Sequence, residues 1–133
     1  MATVKQSARD YSDFSLFFTK HPNTNDVNII KNVESVKQSI KNLLLTRNYE
    51  KLFHPEIGCQ IHSLLFETYS PVVSSVMTNT IQNVLERYEP RIRVIHVNVI
   101  DKSNQNEVDI TVTFALINSD RTFTVTTTLT RSR

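Results

Sequence analysis

The hydrophobic pattern of this chain changes its period at Pro90, and that change constrains the fold more than any other feature. Before the proline, apolar residues between Val73 and Tyr88 recur at the spacing of an amphipathic helix. After Arg91, apolar and polar residues alternate, as they do in strands with one buried face. A residue that precedes proline is disfavoured in the α region, so the helix should end at Glu89. The sequence therefore predicts a helix followed directly by a sheet.

Three strands are predicted after the proline. The first contains Ile95, Val97 and Val99, and the second runs from Val108 to Leu116. The third, from Thr122 to Thr130, alternates apolar residues with threonines. Short connections between the strands favour an antiparallel meander. With 1 glycine in the chain, the turns should rely on Asn and Asp, at residues 23–26, 102–106 and 118–120.

Two main helices are predicted before the sheet. Ser70 is a suitable N-cap for the second helix, and Pro71 occupies a first helical position, where no N–H is needed. Asn32 is predicted to cap the first helix, which should end near Arg47. A short helical turn is predicted around Ile61, Leu64 and Leu65.

These elements predict an α+β fold, in which two main helices pack on a three-stranded antiparallel meander to give a single two-layer domain. Its 133 residues suit one domain, placed at residues 13–133 after a flexible N-terminal arm at residues 1–12. Residues 13–18 are expected to form an extra short strand or a docking segment. The predicted core comprises Val36, Ile40, Leu43, Val76, Val84, Val97, Val112, Phe114 and Val125.

The composition argues against several classes of function. A net charge of +2 with scattered Lys and Arg predicts no nucleic-acid partner. No apolar run reaches the roughly 20 residues of a membrane span, and the N-terminus has no apolar signal core. The single glycine excludes Gly-rich phosphate loops, so no nucleotide cofactor is expected. The single cysteine fits a chain made in a reducing cytoplasm.

Candidate catalytic and metal-binding groups form weak patterns. His54, Cys59 and His62 are residue types that bind zinc, but their spacing fits no closed structural set, and a packed thiol is the expected role of Cys59. Glycoside hydrolysis needs two carboxylates across a cleft, one with a raised pKa. The glutamates available for it are Glu50, Glu56, Glu67, Glu86 and Glu89. Nothing marks one of them as an acid catalyst, so no enzyme is expected and a peptidoglycan hydrolase is the alternative.

The segment Glu89-Pro90-Arg91 places a carboxylate and a guanidinium on one stiff corner. Residues two apart in an extended stretch project to the same side. One interpretation is a surface ion pair worth under about 1 kcal/mol. The other is a polar docking point for another chain, with both side chains reaching outward.

At this corner the sequence resembles the small baseplate wedge proteins of contractile phage tails, of the gene-25 type, and the related baseplate subunit of type VI secretion systems. Matching pieces follow the family's order from about residue 13 to residue 117. They are a first core helix at Val36–Leu44, a central loop with Arg47, Glu50, Phe53 and Pro55–Cys59, a Leu65–Glu67 step and the hallmark Glu89–Ile92. Asn48-Tyr49 departs from the pattern, because the family often has a Gly-containing turn there.

The resemblance implies a structural role in the tail baseplate of the virion. It implies docking on the helical bundle of other wedge proteins through Glu89, Pro90, Arg91 and the loop residues Arg47, Glu50 and Phe53. It also implies that the sheet accepts strands of the tail sheath subunit and so starts sheath assembly. The expected state is a monomer or small oligomer alone and a six-fold ring in the tail, with no cofactor, nucleic acid or membrane.

Overall fold

A computed structural model of the chain describes residues 11–27, 29–117 and 119–131. Within these residues, a short hairpin is followed by three α-helices and three long strands. The elements are β1 (Ser12–Phe14), β2 (Ile29–Lys31), α1 (Val33–Leu45), α2 (Ile61–Leu64), α3 (Pro71–Tyr88), β3 (Ile92–Lys102), β4 (Glu107–Leu116) and β5 (Thr122–Thr130). The predicted α+β fold, with its two main helices and its meander, is confirmed.

The ends of α3 follow from local chemistry. Ser70 Oγ accepts a hydrogen bond from the Val73 amide at 3.3 Å, and Pro71 is the first helical residue. Glu89 is the C-cap, as the following proline predicts. Both predicted boundaries are therefore confirmed.

The predicted position of the start of α1 is confirmed, but the predicted capping by the Asn32 side chain is not observed. Asn32 is its N-cap residue, yet the Asn32 side chain makes no cap hydrogen bond. Instead Asn32 Oδ1 accepts from the Tyr11 amide at 3.3 Å, and the Asn32 amide donates to the Tyr11 carbonyl at 2.5 Å. Asn32 therefore joins the helix to the N-terminal segment.

The long strands form an antiparallel sheet in the order β3-β4-β5. The register aligns Val97 with Val112 and Val112 with Val125, so their side chains lie on one face. The predicted third strand has the bounds that the structure gives it, Thr122–Thr130. Within the described residues, no strand pairs with the outer edge of β3 or of β5.

The predicted alternation fails at Ile95. The register shifts between Val94, which pairs with Phe114, and His96, which pairs with Thr113, so Ile95 is the extra residue of a β-bulge. As a result Ile95 is 50% exposed, while Val94 and Val97 both point toward the core. Because successive side chains of a strand point to opposite faces, one inserted residue reverses which side chains face the core on either side of the insertion.

The core lies between the sheet and the helices, with Phe114 as its largest fully buried side chain. Most predicted core residues are buried; Leu43 and Val84 are half-buried against the cluster. Val76 was wrongly placed in the core, since it is 44% exposed. Each helical residue advances about 100°, so Val76 lies roughly a quarter turn from Met77, which faces the sheet.

The N-terminal hairpin is a separate two-stranded antiparallel sheet, in which Phe14 pairs with Ile29. It lies against α1, where Gln38 Nε2 donates to the Phe14 carbonyl at 3.0 Å. The predicted strand at residues 13–18 thus exists in part. The flexible arm predicted at residues 1–12 falls mostly outside the described residues and stays a prediction.

Asparagine serves the turns as predicted at two positions. Asn25 and Asn106 have φ of 58° and 53°, in the left-handed region that asparagine tolerates. The third predicted turn includes Asn118, which lies outside the described residues. No helix in the described part of the chain has the length and apolar character that crossing a membrane requires.

Candidate interaction site at the Glu89–Arg91 corner

Glu89 and Arg91 form a bidentate ion pair at the junction of α3 and β3. Arg91 Nε donates to Glu89 Oε1 at 2.5 Å, and Arg91 Nη2 donates to Glu89 Oε2 at 2.7 Å. The non-helical backbone at Glu89, with φ of −123° and ψ of 78°, and the fixed φ of Pro90 place both side chains on one side. The sequence-based expectation that the two groups lie together is confirmed.

The carboxylate of this pair is buried. Glu89 is 2% exposed, and Ser39 Oγ of α1 donates to Glu89 Oε2 at 2.5 Å. Burial alone would raise the pKa of Glu89, but the hydrogen bonds from Arg91 and Ser39, together with the Arg91 charge, outweigh it and lower that pKa. Glu89 therefore stays ionised and joins α1, α3 and β3.

The expectation that Glu89 reaches outward is wrong, because its side chain turns into the junction instead. Arg91 is about three-quarters buried and keeps part of its guanidinium at the surface. The Arg91 Cζ lies 5.4 Å from the centre of the Tyr11 ring, within the range of a cation–π contact. Glu89 takes two of the five N–H donors of Arg91, and no residue in the described part of the chain accepts from the other three. The partly exposed group of the corner is thus the guanidinium of Arg91, and its charge is paired with that of Glu89.

The central loop presents the remaining predicted residues. Glu50 is held locally, since its Oε2 accepts from the Arg47 amide at 2.8 Å and its own amide donates to the Arg47 carbonyl. Phe53 is 94% exposed and has a φ of 69°. A bulky residue in that region is uncommon, so the loop backbone holds this side chain away from the core at some cost.

The loop is attached to the end of α3 next to the corner. Tyr88 Oη donates to the Glu56 carbonyl at 2.8 Å. Gly58 approaches Arg47 so closely that a Cβ at position 58 would lie 2.7 Å from the Arg47 carbonyl carbon and oxygen, and its φ is 152°. The single glycine is therefore required where the loop returns to the domain.

Sequence reasoning missed four residues of this region. Tyr49 and Leu52 are almost fully exposed, and apolar types between polar neighbours in a loop were the available signal. Tyr49 has a φ of 68°, a left-handed backbone conformation that glycine adopts at less cost than tyrosine. Ser39 and Tyr11 complete the Glu89–Arg91 pair, but no local pattern could place them there.

The two histidines considered for zinc each contact a residue outside that set. His54 pairs with Glu56 at 3.3 Å, and His62 Nε2 lies 3.2 Å from the Leu45 carbonyl. Cys59 is buried, and its burial raises the pKa of the thiol to about 11, so it is a packed thiol as expected. Within residues 11–27, 29–117 and 119–131, no three His, Cys, Asp or Glu side chains come together as a metal site.

The glutamates proposed for hydrolysis give no acid catalyst at the corner. The pKa of Glu89 is lowered, whereas a general acid needs a raised one. The pKa of Glu56 is also lowered, chiefly by hydrogen bonding to its own backbone. Glu89 is moreover fully occupied by Arg91 and Ser39.

The structure is that of a small α+β domain in which helices cover one face of a three-stranded meander. Comparison with known proteins identifies the family to which this domain belongs. The family model of baseplate wedge protein gp25 matches residues 31–121, more than half of the chain. The chain belongs to this family, and it is a baseplate wedge protein of a contractile phage tail. The resemblance found at Glu89–Ile92 is thereby confirmed.

Individual relatives agree with this assignment. The chain is 30% identical over 94 residues to baseplate wedge protein gp25 of Enterobacteria phage T4, a match that covers 71% of each protein. The cryo-EM structure of the anti-feeding prophage baseplate contains a similar fold, with a TM-score of 0.64 and 21% identity over 93% of this chain and 88% of that one.

A crystal structure of a Geobacter sulfurreducens protein also has a similar fold. Its TM-score is 0.70 at 21% identity, over 75% of this chain and 91% of that chain. That protein is provisionally described as a tail lysozyme. Similarity at this level of identity concerns the fold alone.

Proposed function

We propose that this wedge protein is a structural, non-enzymatic subunit that docks on the helical bundle of other wedge proteins through the Arg91 corner and the central loop, and that starts the tail sheath by accepting a sheath strand at β5. It is made in the host cytoplasm and occupies the virion baseplate as a six-fold ring. The observation that carries the proposal is the uncharged outer edge of β5, with which no strand of the described residues pairs. Unpaired N–H and C=O groups at such an edge invite strand addition.

The two edges of the sheet differ in a way that favours β5. Its sequence, TFTVTTTLT, contains no charged residue and no proline. The edge strand β3 carries Arg93, Asp101 and Lys102 and is distorted by the bulge at Ile95. Charges and bulges are the features by which edge strands avoid pairing. A sheath strand is therefore assigned to β5 rather than to β3.

Two proline variants test strand addition at β5. Neighbouring residues of a strand direct their N–H groups toward opposite edges, so one of Thr126 and Thr127 bonds to β4 and the other faces outward. Thr126→Pro and Thr127→Pro should thus have different effects. The variant that loses the hydrogen bond to β4 should destabilise the domain, and the variant that loses the outward N–H should fold but fail to start the sheath. If the folded variant starts sheath assembly normally, β5 is not the site of strand addition.

A double substitution tests docking at the corner without leaving a buried charge. Replacing a buried ion pair by apolar residues of similar size is often neutral for stability. Glu89→Leu/Arg91→Met should therefore remain folded while it lacks the cation that a partner would bind. We expect baseplate assembly to fail in this variant, whereas normal tails would remove the corner from the docking site.

The hydrolase alternative has a direct assay. Purified protein should not clear a peptidoglycan suspension in a turbidity measurement. Reproducible clearing that is abolished by a single Glu→Gln change would show that the subunit is also an enzyme.

A further inference from the structure

The strand β5 has a residue pattern that is nearly the same in both directions. It reads TFTVTTTLT, with threonine at every second position and Thr126 at its centre. Phe123 and Leu129 lie equally far from this centre, and so do the β-branched residues Val125 and Thr127. An antiparallel pair of two such strands therefore places side chains of the same kind opposite one another.

Pairing of two copies about Thr126 also joins like faces of the sheet. In this register Phe123 lies opposite Leu129 of the second copy, and Val125 lies opposite its Thr127. Val125 and Leu129 are buried, and Phe123 packs against the same core, so the inner faces of the two sheets become continuous. The threonines of the outer face meet threonines, and β5 has no charged residue that could repel its copy.

The outer edge of β5 is accessible to a second strand. The backbone of β5 bonds to β4 in a register that runs from Glu107 opposite Thr130 to Ala115 opposite Thr122. Among residues 11–27, 29–117 and 119–131, no other segment hydrogen-bonds to the backbone of β5. The N–H and C=O groups on this edge can therefore form a new antiparallel ladder.

Each copy offers one edge of this kind. The other edge strand, β3, is bent by the bulge at Ile95 and carries Arg93, Asp101 and Lys102. Pairing at β5 joins two three-stranded sheets into a continuous sheet that ends in β3 on both sides. An interface that uses the same patch on both copies closes after two, so this pairing yields a dimer and not a filament.

We propose that the free subunit forms a closed dimer in which the β5 strands of two copies pair antiparallel about Thr126, and that this dimer prevents the edge from accepting a sheath strand. The blocking role rests on the proposed strand addition at β5, whereas the pairing of the two copies does not. In the dimer the outward N–H and C=O groups of β5 are already bonded. A copy must therefore separate from the other before the sheath can start on it.

A charge exchange at position 126 tests the pairing. Thr126 is exposed, so Thr126→Lys and Thr126→Glu should both remain folded. Analytical ultracentrifugation over a series of protein concentrations should show a monomer–dimer equilibrium for the unmodified chain. Each variant alone should dimerise about tenfold or more weakly, because like charges meet at the centre. An equal mixture of the two variants should restore the dimer.

Two further measurements locate the contact on β5. Asn79→Lys and Asn79→Glu, at an exposed position of α3, are the matched controls and should leave the equilibrium unchanged, singly and mixed. The outward amides of β5 should exchange hydrogen more slowly in concentrated than in dilute protein, and the edge amides of β3 should not change. A chain that is monomeric at all concentrations would overturn the proposal, as would larger assemblies or a dimer that both Thr126 variants leave intact.

The outcomes also separate this inference from strand addition by the sheath. If the unmodified chain stays monomeric while the folded proline variant of β5 fails to start the sheath, the pairing of two copies is excluded and strand addition stands. If the dimer forms about Thr126 and the folded proline variant starts the sheath normally, the pairing stands and its blocking role is excluded.

Discussion

The buried carboxylate of Glu89 and the partly exposed guanidinium of Arg91 meet in a bidentate pair that Ser39 of the first helix completes. This relationship gives the corner two roles. It holds α1, α3 and β3 together, and it fixes the direction of the Arg91 guanidinium, which is the group proposed to meet a partner. Variants at the corner must therefore be checked for folding before their assembly is interpreted.

Removing only the cation should destabilise the domain. Arg91→Ala leaves the ionised Glu89 buried with Ser39 as its remaining side-chain donor, and we expect a loss of about 3 kcal/mol in the free energy of unfolding. Urea denaturation should show this loss and its recovery in Glu89→Leu/Arg91→Met. A change under about 1 kcal/mol for Arg91→Ala would indicate that the pair behaves as an exposed one.

The pair should also make stability depend on pH. The pKa of Glu89 in the folded state is lowered below the ordinary 4.5. The contribution of the ionised Glu89 to stability is therefore fully present above about pH 4.5, and it is lost as the pH falls through the folded-state pKa. The difference in unfolding free energy between the unmodified chain and Glu89→Gln should therefore shrink on acidification below pH 4.5. Asp109 also has a lowered pKa, so this difference, and not the unmodified chain alone, is the informative quantity. A constant difference would contradict an ionised Glu89.

Truncating a core side chain should reduce the free energy of unfolding much more than truncating a side chain on the outer side of α3. Phe114→Ala removes a fully buried ring and should cost about 3–5 kcal/mol, close to the total stability of a small domain. Val76→Ala on the outer side of α3 is the control, with an expected change within about 0.5 kcal/mol. Thermal denaturation of both variants measures this contrast. Equal melting temperatures would mean that the sheet faces are assigned the wrong way round.

Two opposite substitutions test the backbone of the central loop. Gly58→Ala forces a Cβ against the Arg47 backbone at positive φ and should cost more than about 1 kcal/mol. Tyr49→Gly relieves a left-handed φ of 68°, and because Tyr49 is mostly exposed, stability should change little. Calorimetry on the two variants should give a clear loss for the first and a small shift for the second. A reversed order would refute the loop geometry.

Much of the fold could be predicted because local chemistry determines it. Ser70 and Pro71 set one end of α3, Pro90 sets the other, and the alternating threonines delimit β5. Glu89 and Arg91 could be paired from their spacing alone.

The structural features that could not be predicted from the sequence depend on contacts between residues that are distant in the chain. Ser39 reaches Glu89 across fifty positions of sequence, so nothing near Glu89 signals that it is buried. The bulge at Ile95 is a property of the pairing with β4, and a strand read alone does not reveal an inserted residue. The exposure of Phe53 and Phe17 is likewise a property of the folded surface, because aromatic residues ordinarily predict a core.

The most direct measurement is a cryo-EM map of the assembled tail at side-chain resolution. We expect this chain in the baseplate with a sheath strand paired along β5 and with Arg91 within hydrogen-bond distance of a carboxylate or carbonyl of a neighbouring wedge protein. A map in which both sheet edges remain unpaired and Arg91 contacts only Glu89 and Tyr11 would contradict both strand addition at β5 and docking at Arg91.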